Sequence, residues 1–459
     1  MQYISTRGSS NPLTFVQAVL EGLARDGGLL VPKEIPDFSG QLNRLSSLSY
    51  KELALEVFTP FVDGDIPREV LYKLIDKSYN VFANNEVTPL KFLDNITILE
   101  LFHGPTLAFK DVALQFLGNL FEEILKNNDI RLNILGATSG DTGSAAIHGV
   151  RGKERINIFM LHPKGKVSPI QEKQMTTVLD KNVFNVAVEG TFDDAQSIVK
   201  QIFNDLEFRD KYHLGAVNSI NWARVMAQIV YYFYAAFRFR EKYPSTEIVF
   251  SVPTGNFGDI YAGYLAKKMG LPIKRLILAT NENDILYRVL ETGEYKISSV
   301  KSTLSPSMDI QIASNFERYV FDITGQKGEV VAQKMKTLAE TGKFDLTAEE
   351  HNATKSVFLP VRVNTKETLE TIRKYKVKGV LLDPHTAVGV AAAEKSGFSQ
   401  VIALSTAHPA KFSEAVVNAI GEEPSYPESL IGILDKECKC ETVKNNYIDV
   451  EKLIEAKFL

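Results

Sequence analysis

The sequence predicts an α/β protein: parallel sheets flanked by helices, with a small domain ahead of them. Two observations predict this. From about residue 84, short apolar runs alternate with longer amphipathic segments, the pattern of strands joined by crossover helices. Gly- and Thr-rich turns fall where these strands pass into helices, and parallel sheets bind ligands at such junctions.

Residues 1–82 read as the small N-terminal domain. Phe15, Ala18, Val19 and Gly22 share one side of a helix over 13–23, Asp26-Gly27-Gly28 ends it, and an apolar strand starts at 29–31. In 83–425, strands are expected at 96–102, 132–135, 156–161, 184–188, 248–252 and 275–279. Helices are expected at 111–126, 144–150, 221–242 and 259–269; the first carries Ala113, Phe116, Leu117, Leu120, Phe121 and Ile124 as one stripe. The stretch 284–380 reads as mostly helical and charged, without chemistry, and suits a lid or an insertion. The tail, 426–459, is polar and reads as packing on the surface.

A net charge of −4 leaves no basic excess to neutralise a nucleic-acid backbone, so that partner is not expected. The opening MQYISTRGSSNPLTF has no apolar run behind a basic start, and the aromatic run at 229–239 is broken by Arg238 and Arg240. Neither a secretory signal nor a membrane span is expected. Cys438 and Cys440 are the only cysteines. They cannot build a disulfide framework or close a zinc site, and they fit reduced thiols in the cytoplasm, with no metal.

Three segments carry chemistry. In 101–111, LFHGPTLAFKD, a strand turns through Gly104-Pro105 into a helix that starts near Lys110. The positive end of a helix disfavours an ammonium, and a neutral amine is what Schiff-base chemistry requires; a solvated lysine paired with Asp111 is the plainer alternative. In 251–259, SVPTGNFGD, glycines let the backbone approach an anion at a helix start, as for a small phosphate monoester. In 136–144, GATSGDTGS, hydroxyls and N–H groups could cradle a carboxylate or a second phosphate, or simply cap a helix through Asp141 or Thr142. Neither loop is a Walker A or dinucleotide motif.

Together these segments resemble the threonine synthase family, pyridoxal-phosphate enzymes of fold type II with the tryptophan synthase β-like fold. The resemblance spans nearly the whole chain and includes Ser5-Thr6-Arg7-Gly8 and residues 26–32, DGGLLVP. It implies conversion of O-phospho-L-homoserine and water to L-threonine and phosphate, the last step of threonine biosynthesis, with Lys110 as Schiff-base lysine and proton shuttle. It implies cofactor contacts from Asp141, Gly255, Asn256, Phe257, Gly258, Asp259 and Thr406, the last toward the ring nitrogen. A neutral hydroxyl cannot stabilise a pyridinium as a carboxylate would. An acid at 141 beside the cofactor's 3-oxygen would repel it unless a proton or a lysine intervenes. Ser139, Gly140 and Thr142 are implied at the substrate carboxylate, and Ser219, Arg224 and Asn256 at the substrate phosphate. Arg224 suits two-pronged phosphate binding; on its own it could equally be a surface ion pair. His103, His385 and His408, each in a Gly/Pro-containing turn, are candidates for acid–base groups or, the plainer reading, structural residues. The alternatives are a related phospho-lyase releasing a keto acid and ammonia, a serine/threonine dehydratase or cysteine synthase, and a non-enzymatic cofactor-binding scaffold. The resemblance leaves a monomer and a homodimer equally open.

Overall fold

The apolar runs form two separate parallel sheets, each inside its own compact unit, in a computed structural model that describes residues 1–457. The first unit comprises 1–76, 82–103 and 219–424; the second comprises 77–81, 104–218 and 425–459. Contacts therefore divide the chain differently from the linear partition at 82 and 425, because each unit is assembled from distant segments.

In the first unit a six-stranded sheet runs Phe358–Arg362, Ile273–Thr280, Ile248–Pro253, Val401–Ser405, Ile96–Glu100, Leu90–Phe92. All pairings are parallel except that of the edge strand Leu90–Phe92. The helix Pro384–Lys395 covers one face with Ala387, Val388, Val390 and Ala391, packed with Ile96, Ile98, Ile277 and Ala403. Strands buried on both faces need no polar alternation, which is why Ile248–Pro253 reads as an unbroken buried run. The N-terminal segment contributes a two-stranded ladder, Tyr3–Ser5 against Leu30–Pro32. Its helix Tyr50–Val62 is set by a capping box of Ser49 and Glu52.

The second unit holds a five-stranded, all-parallel sheet in the order Glu441–Lys444, Val183–Glu189, Ile156–Pro163, Leu132–Ala137, Leu214–Gly215. Here the helices Lys110–Asn128 and Asp141–Val150 cross with almost no gap. A Cβ on Gly118 would sit 1.9 Å from the Gly149 carbonyl oxygen, and one on Gly149 would sit 2.5 Å from that of Leu114. Glycine at both positions lets the backbones touch.

Three expectations change. The tail is more than surface packing: Glu441–Lys444 is an edge strand, and Val450 and Ile454 of the following helix join the core with Phe184 and Val186. Two apolar residues one helix turn apart suffice for docking, so overall polarity hid it. Only Phe458 and Leu459 of that segment lie outside the described residues. The stretch 284–380 includes the sheet strand Phe358–Arg362, disguised by Pro360, which an edge position tolerates. The helix expected at 144 begins at Asp141.

Candidate active site

In the second unit, Lys110 is the first residue of its helix and only 8% exposed. The turn ahead of it is tight. Leu107 has φ 61°, and a Cβ on Gly104 would lie 2.4 Å from that of Asp111. The Asp111 carboxylate accepts hydrogen bonds from the Thr106 N–H (2.8 Å) and hydroxyl (2.7 Å), fastening this turn. Lys110 Nζ instead lies 3.1 Å from Asp141 Oδ2 and 4.8 Å from the centre of the Phe109 ring. The carboxylate offsets the positive field of the helix start, so the dipole does not act on the amine alone.

Asp141 owes its place to the loop after strand Leu132–Ala137. Gly140 has φ 139°, and a side chain there would run into Gln171. The expected cap by Asp141 or Thr142 is absent. Gly140 is the N-cap, and the Thr138 hydroxyl accepts from the N–H groups of Gly140 (3.0 Å) and Gly143 (2.9 Å) instead. Thr138 reaches them because it lies inside the turn, a geometry that spacing alone does not reveal. The hydroxyls of Ser139 and Thr142 engage no other described residue, which leaves them open to a carboxylate. Gln171 Nε2 donates to Asp141 Oδ1 at 2.7 Å. Sequence reasoning missed Gln171; its only signal was the helix start Ser168-Pro169, where Ser168 caps the Gln171 N–H.

In the first unit, strand Ile248–Pro253 runs through 254–257 into helix Gly258–Lys268. Phe257 adopts φ 66°, which its ring supports by burying against Phe316 and Phe358, 5.1 and 5.4 Å between centres. Asn256 Oδ1 accepts from the Gly258 N–H at 2.9 Å. The N–H groups of Gly255, Asn256 and Phe257 donate to no other described residue. A Cβ on Gly255 would sit 2.8 Å from the Ser307 carbonyl oxygen. Such a glycine turn with unused N–H groups at a helix start fits a phosphate monoester. Asp259 is different. Its carboxylate accepts from the hydroxyls of Tyr231 (2.6 Å) and Tyr232 (2.8 Å), whose pKa values burial raises well above the usual. Its side chain thus anchors the loop to the helix Trp222–Lys242.

Thr406 follows strand Val401–Ser405, and its N–H donates to the Thr386 hydroxyl at 3.2 Å. Thr386 in turn donates to the fully buried Asp383. The Thr406 hydroxyl has no partner among the described residues and is available to a ring nitrogen.

Arg224 lies in the first turn of helix Trp222–Lys242, capped by Asn221. It is no surface ion pair. It is 4% exposed, and its Nε and Nη1 have no partner among the described residues. Burial pushes its pKa down to about 10. A buried guanidinium without a counter-charge is costly unless an anion arrives. Ser219 and Asn256 lie in the same unit, with carbonyl oxygens bound by one side chain, that of Asn315.

The three histidines have structural partners. His103 Nε2 lies 2.8 Å from Glu100; His385 Nδ1 lies 2.9 Å from Asp383, and its Nε2 accepts from the Ser307 N–H; His408 Nδ1 accepts from the Ala410 N–H. Among the described residues no cluster of His, Cys, Asp or Glu could hold a metal ion, and no helix is long and apolar enough to cross a membrane.

Three family models match the chain: threonine synthase N terminus over 2–79, pyridoxal-phosphate dependent enzyme over 83–350, and threonine synthase C-terminal over 386–454. A threonine synthase of Pseudomonas aeruginosa is 47% identical over 99% of this chain and 98% of its own. A crystal structure of pyridoxal-phosphate-bound threonine synthase from Brucella melitensis superposes with a TM-score of 0.96 at 46% identity, covering 100% of this chain and 99% of that one. The yeast threonine synthase structure gives a TM-score of 0.94 at 45% identity, with 99% and 98% covered.

Proposed function

This chain belongs to the threonine synthase family of pyridoxal-phosphate enzymes, and from that premise we propose how its residues divide the work. The reaction is the conversion of O-phospho-L-homoserine and water to L-threonine and phosphate, a carbon–oxygen lyase chemistry on a small molecule. The buried guanidinium of Arg224, whose Nε and Nη1 have no partner among the described residues, is the observation that supports a phosphorylated substrate over the unphosphorylated substrates of dehydratases.

Lys110 is the residue that would hold the cofactor's carbonyl carbon. The loop Gly255, Asn256, Phe257, Gly258 and Asp259 would hold its phosphate, through the unused N–H groups of Gly255, Asn256 and Phe257, and the Thr406 hydroxyl would meet its ring nitrogen. Bound there, the cofactor supplies an electron sink that makes protons on the substrate's Cα and Cβ removable. Lys110 Nζ would take the Cα proton, then a Cβ proton, and return protons as water adds at Cβ. Asp141, with Gln171 behind it, keeps the amine in place and is the candidate neighbour of the cofactor's 3-oxygen, the lysine lying against that carboxylate. Ser139, Gly140 and Thr142 orient the substrate carboxylate. Arg224, Ser219 and the Asn256 amide hold the γ-phosphate and stabilise its charge as it leaves. The reduced thiols Cys438 and Cys440 support a cytoplasmic setting.

The test is incubation of the purified protein with pyridoxal phosphate and O-phospho-L-homoserine. Threonine and phosphate are expected in equal amounts. Phosphate with ammonia and a 2-keto acid, and no threonine, would instead identify the phospho-lyase.

A further inference from the structure

The stretch 284–380 contains a junction that neither the motifs nor the roles above use. Asn315 precedes the helix Phe316–Ile323 and is fully buried. Its Nδ2 donates to the carbonyl oxygens of Ser219 (3.2 Å) and Asn256 (3.3 Å), and its backbone N–H donates to Asn256 again at 3.1 Å. Its Oδ1 is held by Arg318 Nη1.

Arg318 is itself fully buried. Its Nε and Nη2 donate to the Leu30 carbonyl oxygen at 3.2 and 2.9 Å, and Nη2 also donates to that of Ile220. Its guanidinium carbon lies 5.8 Å from the centre of the Trp222 ring. The adjacent carboxylate, Glu317, is taken by Arg7 (2.9 Å) and Thr6 (2.6 Å), and Arg318 forms no ion pair among the described residues. One rigid fork thus ties the turn 219–222 to Asn315, and Asn315 ties that turn to the glycine loop. Were only stability at stake, apolar side chains could fill this volume at less desolvation cost. A planar fork plus a carboxamide instead fixes the relative position of two backbone turns, a task apolar packing performs less sharply.

We propose that Asn315 and Arg318 are positioning residues for the substrate phosphate: they lock the Ser219 turn and Asn256 at a fixed separation, so that both meet the same phosphate that Arg224 binds. This rests on the assignment of Ser219, Arg224 and Asn256 to that phosphate. Loosening the lock costs affinity for the phosphate more than it costs the chemical step, because Lys110 and the charge of Arg224, which meets the leaving phosphate, are untouched.

The test uses the full-length holoenzyme and the variants Asn315→Ala and Asn315→Asp. The second keeps volume and an oxygen for Arg318 while losing the amide donors, so it folds where alanine leaves a void. The readouts are KM and kcat for O-phospho-L-homoserine, the Ki of inorganic phosphate, the visible absorbance of bound cofactor and the melting temperature. KM and Ki are expected to rise tenfold or more, with kcat changed less than threefold and the cofactor absorbance retained. A folded variant with KM and Ki within twofold of the parent overturns the proposal. So does a loss confined to kcat, and so does unfolding of both variants, which would make the junction a folding element alone. Failure of the parent enzyme to release phosphate from O-phospho-L-homoserine would strike the underlying assignment instead.

Discussion

Replacing Arg224 with methionine should move stability and binding in opposite directions. The guanidinium is 4% exposed, lacks partners at Nε and Nη1 among the described residues, and has its pKa pushed down to about 10 by burial alone. That displacement corresponds to about 3 kcal/mol against the ionised form in the ligand-free protein. Methionine fills a similar volume with no charge to desolvate. Arg224→Met is therefore expected to stabilise the ligand-free protein by about 1–3 kcal/mol, read as a higher urea midpoint. The same change removes a charge-assisted phosphate contact, so KM for O-phospho-L-homoserine should rise on the order of a hundredfold. Saturating inorganic phosphate should stabilise the parent by about 2–3 kcal/mol at a hundred times its Kd and leave the variant unmoved. A variant that is less stable without ligand, yet still stabilised by phosphate like the parent, would refute the reasoning: Arg224 would then be a structural residue.

Lys110→Ala should give a folded protein to which borohydride no longer tethers pyridoxal phosphate, with turnover reduced by at least ~10³-fold; preserved turnover would remove Lys110 from the chemistry. Gly118→Ala should cost several kcal/mol, because the new methyl would fall 1.9 Å from the Gly149 carbonyl oxygen; an unchanged urea midpoint would mean that the two helices can part freely. Stability should also fall in acid through His408, whose pKa burial lowers to about 4 while its Nδ1 accepts from the Ala410 N–H. Since the unfolded imidazole takes up its proton near ~6.5, this contribution is complete above that pH and is lost progressively down to about 4. His408→Asn, which keeps an acceptor without titrating, should flatten the urea midpoint between pH 6.5 and 4.5; a profile identical to the parent's would exclude His408 as a source.

The sequence by itself determined the class of fold and the chemical cast. Apolar runs such as 248–252 and 156–161 mark buried strands because a parallel sheet covered on both faces admits no polar alternation. The glycine turns are legible because the chain packs too closely there for a side chain: a Cβ on Gly255 would meet the Ser307 carbonyl oxygen and one on Gly140 would meet Gln171. What the tertiary structure decided are the partners. Lys110 faces Asp141 rather than Asp111 because two glycines let their helices touch and Thr138 winds the intervening turn. Asp259 turns to a pair of tyrosines, and Arg224 is buried without a counter-ion among the described residues, although each looks like an ordinary charged residue in the chain. Asn315 and Arg318 gave no signal, since their bonds go to carbonyl oxygens 59 to 288 residues away, and a carbonyl is the same in every residue. Periodicity and composition encode burial and backbone freedom, which are local. Which side chain meets which depends on distances closed only when each unit folds.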